Sequence, residues 1–211
     1  MNRRSIITAA VLGLLTFQAH AARPFTVDDA GTVEKQGFEV EVASDFGKDA
    51  FDGGIGLKHG LTDRMDIGIG FGYTALPEID AQHSPLEIGL KYALVPDFLS
   101  ASLSGSFGEP GYAVNMIASK PLGIASLHLN LGLETQSSVN DRAVTYGMAA
   151  TFETGRITSG IEIAGADDSM NWWQIGAQVS VLEWLAVDLG LGGDFESEKS
   201  FTATSGVWIG F

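Results

Sequence analysis

From residue 36 onward the chain alternates between large apolar residues and small or polar ones. In Met65-Asp66-Ile67-Gly68-Ile69-Gly70-Phe71-Gly72-Tyr73 every odd position is large and apolar, and every even one is Gly or acidic. Leu86-Glu87-Ile88-Gly89-Leu90-Lys91-Tyr92, Leu127-His128-Leu129-Asn130-Leu131-Gly132-Leu133-Glu134 and Leu185-Ala186-Val187-Asp188-Leu189-Gly190-Leu191-Gly192 repeat the pattern. In Leu99 to Phe107 the small face is largely serine. Successive side chains of a strand point to opposite faces, so this period of two predicts strands with one apolar and one small or polar face. It predicts about twelve of them, over 36–46, 49–59, 65–74, 84–95, 98–107, 111–120, 124–134, 143–153, 156–164, 171–182, 184–194 and 201–211. Strands of about 9–11 residues cross a bilayer when tilted.

The connections alternate too. Gly60–Arg64, Val95-Pro96-Asp97, Lys120-Pro121-Leu122-Gly123, Glu153-Thr154-Gly155-Arg156 and Leu182-Glu183 read as short turns. Ala75–His83, Thr135–Arg142, Gly165–Asn171 and Phe195–Ser200 read as longer polar loops, with shorter members of that set near Gly47-Lys48 and Glu109-Pro110. Short turns at one end and longer loops at the other describe an outer-membrane barrel, and an even strand count returns both termini to the periplasmic side. A soluble sandwich or lipocalin-like barrel would hide the apolar face and charge the other. Here the second face is too rich in Gly, Ser and Ala for a solvated surface, and it suits the crowded interior of a narrow barrel. The expected fold is therefore all-β, a transmembrane up-and-down antiparallel barrel over 36–211, in the cell outer membrane. Tyr73, Tyr92, Trp173, Trp184, Phe201 and Phe211 fall near strand ends, where aromatic girdles belong.

The first residues have another purpose. Asn2-Arg3-Arg4, the apolar run Ile6 to Phe17 and the small-x-small Ala19-His20-Ala21 form a secretory signal peptide, predicted to be cleaved before Ala22. Residues 22–35 are then expected to be a periplasmic lead-in folded against the barrel mouth. At the other end Val207-Trp208-Ile209-Gly210-Phe211 resembles the C-terminal strand signature read by the outer-membrane barrel assembly machinery.

Composition narrows function by exclusion. Two of the 12 Lys and Arg lie in the leader, which leaves 26 acidic against 10 basic residues after it. That balance disfavours nucleic acid as a partner. With no Cys, disulfides, thiolate metal sites and cysteine nucleophiles are absent. The 27 Gly argue against helical architecture.

Two segments carry a family likeness. Arg23-Pro24-Phe25-Thr26-Val27-Asp28-Asp29-Ala30-Gly31-Thr32-Val33, followed by Gly37-Phe38-Glu39-Val40-Glu41, is one. Leu57-Lys58-His59-Gly60-Leu61-Thr62-Asp63-Arg64-Met65-Asp66-Ile67-Gly68-Ile69-Gly70 is the other. Together they resemble the outer-membrane transporters grouped as the "MetA pathway of phenol degradation" family, with His59 standing where members carry an aromatic residue. The resemblance covers about the first third of the mature chain. It implies an outer-membrane barrel that takes up small compounds, hydrophobic or aromatic ones among them, and it transfers no site residues.

No enzyme motif, cofactor motif or metal motif emerges. His59 is expected in a turn and His83 in a loop beside Ser84, while His128 shares the inward face with Ser126 and Asn130. Residues two apart share a face without forming a triad. The ionisable positions predicted to line the lumen are Glu39, Glu41, Asp66, Glu87, Lys91, Glu134, Glu162 and Asp188, together with His128. Either they line a water-filled, cation-biased path, or they are hydrogen-bonded plugs in a closed interior with Lys91 paired to one carboxylate. Glu78, Asp80, Asp167, Asp168, Glu196 and Glu198 put acid on the loops, where divalent cations would bridge lipopolysaccharide, or where solvent alone would meet them. The expected function is passive passage of small molecules, with a closed structural or interaction barrel as the alternative.

Overall fold

The computed structural model describes residues 24–48, 50–76, 79–107, 111–136, 141–195 and 201–211. The predicted leader, Arg23, Glu78, Glu109, Pro110, Glu196 and Glu198 lie outside the described residues. The described strands are β1 (Phe38–Gly47), β2 (Phe51–Thr62), β3 (Met65–Leu76), β4 (Ile79–His83), β5 (Glu87–Val95), β6 (Leu99–Ser106), β7 (Gly111–Leu122), β8 (Ala125–Gln136), β9 (Asp141–Thr154), β10 (Ile157–Ala166), β11 (Ser169–Leu182), β12 (Leu185–Asp194) and β13 (Phe201–Gly210). Each pairs antiparallel with its neighbours. The β1–β13 pairing joins the first wall strand to the last and closes the ring.

Thirteen described strands make a twelve-strand wall because one wall strand is broken. The far half of β3 pairs with β4 and its near half with β5, so both occupy a single place in the barrel. Between them stands Ser84-Pro85-Leu86, and Pro85 has no N–H to offer the ladder. Ser84 repairs part of the gap: its N–H donates to Gly72 O, and its Oγ accepts from Gly72 N at 2.7 Å.

The two faces obey the alternation. Ile55, Leu103, Leu131 and Leu189 are between 50% and 70% exposed, as a lipid-facing surface requires. The intervening Gly, Ser and polar residues point inward. Pairs of turn residues, Asp63-Arg64, Gly123-Ile124, Gly155-Arg156 and Glu183-Trp184, close one end. Gly123 and Gly155 sit at φ 80° and 63°, the left-handed region that glycine reaches without strain. Pro121, expected in a turn, instead lies on β7 opposite Ser126, one residue before the strand ends. At the other end, the loop expected over Gly165–Asn171 shrinks to the turn Asp167-Asp168, because β10 and β11 run on to Ala166 and Ser169. Asp167 Oδ1 there accepts from Val144 N at 2.9 Å, which ties this turn to β9.

Aromatic side chains gather at both rims. Phe38 stacks on His59 at 4.1 Å and on Phe211 at 5.7 Å, so His59 lies on strand β2 and packs as an aromatic residue would. At the loop end Phe46 meets Phe51, and Trp173 meets Phe201 edge-on.

Candidate functional site: a lumen crossed by its own N-terminal segment

The lead-in was expected at the mouth of the barrel, and residues 24–34 lie inside it. Phe25, Val27, Ala30 and Val33 are buried, and Asp28 is fully so. The segment has no strand of its own, and its ladder contact with the wall is a single bridge, Lys35 to Gly60. Its buried backbone must still find partners. Inward-facing side chains of the wall supply them.

Glu162 on β10 carries one end. Its Oε2 accepts from Thr26 N at 2.8 Å and Val27 N at 2.9 Å, while Oε1 accepts from Thr26 Oγ1 at 2.8 Å and Trp172 Nε1 at 3.2 Å. The Gln174 amide donates to Pro24 O beside it. Asn130 on β8 treats Asp28 as a strand neighbour would: Oδ1 accepts from Asp28 N at 2.9 Å, and Nδ2 donates to Asp28 O at 2.8 Å. Two serines do the same for Ala30, whose N donates to Ser119 Oγ and whose O accepts from Ser100 Oγ at 2.6 Å. Val33 N donates to Asp66 Oδ2 at 3.0 Å. The segment thus crosses the lumen from β11 to β3.

Charge fixes its middle. Lys91 Nζ lies 3.0 Å from Asp28 Oδ2 and donates to Asp29 O at 2.6 Å, with the two side chains 7% and 0% exposed. Losing one member of such a buried pair leaves an uncompensated charge, at about 3–5 kcal/mol. Apolar packing adds to this. A Cβ on Gly160 would stand 2.9 Å from Phe25 Cζ, and one on Gly147 would stand 2.7 Å from Val27 Cγ2. The wall is hollowed by glycine where the segment presses on it.

Of the nine residues predicted to face the lumen, Glu41, Asp66, Lys91, His128, Glu162 and Asp188 are buried. Asp66 and Lys91 are register partners, and Asp66, Lys91 and Glu162 all hold the segment. Glu39 and Glu41 stand opposite Lys58 and Gly56 on β2, Glu134 opposite Ala143, and Asp188 opposite Gln178. His128 finds its partners on neighbouring strands rather than on its own. Ser119 Oγ, which accepts from Ala30 N, is placed to donate to His128 Nδ1 at 2.8 Å, leaving Nε2–H for Thr151 Oγ1 at 3.1 Å.

Sequence reasoning missed Asp28, Ser119 and Lys58 as interior contacts, and it placed Asn130 on the inward face without a partner. Lys58 was within reach, since it alternates with Leu57 and His59 and so must face inward. Asp28 was not, because its partners Lys91 and Asn130 lie 63 and 102 residues further along the chain.

One space, of about 390 Å3, is bordered by Phe25, Asp29 and Gly31 of the segment and by Pro121, Ser126, Glu153 and Gln178 towards the short-turn end. A much smaller one, of about 40 Å3, lies against β2, β3, β5, β6 and β7, between Lys58, Lys91 and Glu87.

Solved structures decide what kind of barrel this is. A KdgM porin superposes over 82% of this chain and 99% of its own, with a TM-score of 0.64 at 10% identity. The chain has the fold of the outer-membrane porins. An outer membrane channel from Pseudomonas putida matches over 87% of this chain and 98% of its own at TM-score 0.62 and 14% identity, and the NanC porin over 82% and 98% at 0.57 and 9%. These neighbours are porins and channels, not enzymes. No family model and no curated protein matches the chain.

Proposed function

We propose that this porin-like barrel passes small molecules passively across the outer membrane, and that the state described here is its closed one. The observation that carries the reading is the manner in which the segment is held. It is docked almost wholly by side chains, so it can leave without breaking any β ladder of the wall. The space of about 390 Å3 beside it would form part of the path. Inward carboxylates bias that path towards cations and neutral solutes. KdgM has been solved in complex with disordered oligogalacturonate, so a barrel of this architecture accommodates a solute. The likeness of segments 23–41 and 57–70 to the MetA phenol-degradation transporters supports hydrophobic or aromatic compounds as part of the solute range. Lipid and lipopolysaccharide are the surroundings this reading requires. The assembly machinery is its partner through the strand that ends at Phe211.

A second reading has its own observation. Phe25, Val27 and Ala30 are at most 4% exposed, and burying Phe and Val side chains stabilises by about 1.5–3 kcal/mol each, as in a permanently closed structural barrel. Single-channel conductance of the refolded protein in a planar bilayer separates the two. Discrete steps that become frequent in Lys91→Met support passage. Silence from both proteins, with heat-modifiable gel mobility intact, overturns it and leaves the closed barrel.

A further inference from the structure

Followed backwards, the docked segment runs from Asp66 on β3 past Ser119 on β7, Asn130 on β8 and Glu162 on β10 to Gln174 on β11. At Pro24 it is still buried inside the barrel. Its line points on to β12, β13 and β1, the strands that complete the ring. Pro24 rests on Gly176, where an added Cβ would collide with the proline ring. Register carries that position across the wall: Gly176 stands opposite Gly190, Gly190 opposite Thr204, and Thr204 opposite Asp45. Strands about 4.8 Å apart put Asp45 roughly 14 Å from Gly176.

Two observations make that row a place for a cation. Thr204 is 5% exposed, and its Oγ1 meets no hydrogen-bond partner among the described residues. It stands over Gly190, 2.9 Å from where a Cβ would lie, so the hydroxyl faces the space into which the chain is heading. A buried hydroxyl is costly until a donor reaches it. The charge around it has one sign. Glu41, Asp45 and Asp188 are buried on β1 and β12, and β1, β12 and β13 carry no Lys, Arg or His. The Asp188 carboxylate lies over Gly206, 2.5 Å from where a Cβ would stand, which turns it towards β13. Lys58 on β2 answers Glu39, at the opposite end of β1 from Asp45.

The residue that precedes Pro24 is Arg23. Consecutive Cα atoms are about 3.8 Å apart, so one residue and an arginine side chain reach β12 and β13. A guanidinium also suits carboxylates better than an ammonium does, because its planar fork bonds them in pairs. We propose that this face of β12, β13 and β1 is the seat of the chain end ahead of Pro24, with the Arg23 guanidinium held by Asp188 and Asp45 and donating to Thr204 Oγ1. Cleavage before Ala22, which the leader predicts, adds an α-ammonium one residue further on and a second positive charge for the same carboxylates. Ion pairs then fix the segment at two points, with the signs reversed between them. At its middle the wall supplies Lys91 and the segment Asp28, and at its tip the wall supplies the anions. The seat belongs to the docked state, so it stands whether or not the barrel opens.

Phenylglyoxal labelling of the protein extracted from outer membranes, read by mass spectrometry, is the test. Arg64, Arg142 and Arg156 are exposed and serve as internal references. Arg23 is expected to react at least tenfold more slowly than they do, and to approach their rate when Asp188→Asn and Asp45→Asn are combined. Chymotrypsin cleavage after Phe25 reads the same end of the segment. Arg23→Gln and Asp188→Asn are each expected to raise it about fivefold, and joining them should add little, because both remove the same pair. Equal labelling of Arg23 and Arg64 in the parent overturns the seat and leaves the row to a cationic solute, and no folding defect in a variant can blur that result. Slow labelling that persists in the double asparagine variant, with heat-modifiable mobility intact, overturns it as well. So does cleavage that rises additively in Arg23→Gln with Asp188→Asn.

Discussion

The lumenal surface of β7 to β11 and that of β2 to β6 are written in the same alphabet, small residues alternating with scattered polar ones, and they end in opposite conditions. On the first, Ser119, Asn130, Glu162 and Gln174 are committed to the backbone of residues 24–30, and Gly147 and Gly160 are covered by Val27 and Phe25. On the second, Gly89 opens onto space and Lys58 borders a cavity. Lys91 and Asp66 stand at the boundary and serve the segment from the open side. A glycine in a strand can thus mark a neighbour already present or room for one to come, and only the surroundings of its absent Cβ tell the two apart.

The largest expected effect in this comparison comes from Lys91→Met. It strands the Asp28 carboxylate inside the barrel and should weaken docking by about 3–5 kcal/mol. Frequent channel openings and protease cleavage within residues 24–34 are the readout, and adding Asp28→Asn should reverse much of it. Glu162→Gln comes next, because an amide replaces an anion that accepts from Thr26, Val27 and Trp172. Each charge-assisted bond contributes about 1.5–3 kcal/mol, so openings in planar bilayers should again rise while the wall stays folded. Gly147→Ala pushes on Val27, whose Cγ2 would stand 2.7 Å from the new Cβ, and should cost about 1–3 kcal/mol of docking by overpacking, read as a smaller rise in cleavage. Gly89→Ala is the matched control on the open side. With no contact below 3.8 Å it should stay within about 0.5 kcal/mol of the parent in urea unfolding. In the Lys91→Met background, Glu87→Gln should lower the cation preference measured in a salt gradient.

The wall was legible in the sequence and its contents were not. Alternation is a local property, so Met65 to Tyr73 declares its two faces without reference to any other strand. Strand ends came within a few residues. The main departure, the break at Ser84-Pro85-Leu86, follows from one proline that a period-two reading passes over. The interior depends on contacts across the barrel. Pro24-Phe25-Thr26-Val27 is short and has no period of its own to identify it, and Glu162, its main acceptor, lies 135 to 136 residues further along the chain. His128 shows the same limit at closer range. Its inward direction was readable, whereas its partner Ser119 follows only from the β7–β8 register.

The reach of the docked segment has a consequence for assembly. Its acceptors come from β3, β7, β8 and β10, and a slip of one residue in any of those pairings would turn the relevant side chain out into the lipid. Glu162 would then face hydrocarbon, and Thr26 and Val27 would find no acceptor. The segment can dock fully only once β3, β7, β8 and β10 stand in register. Its docking gauges those pairings, much as a key turns only when all the pins stand at the right height.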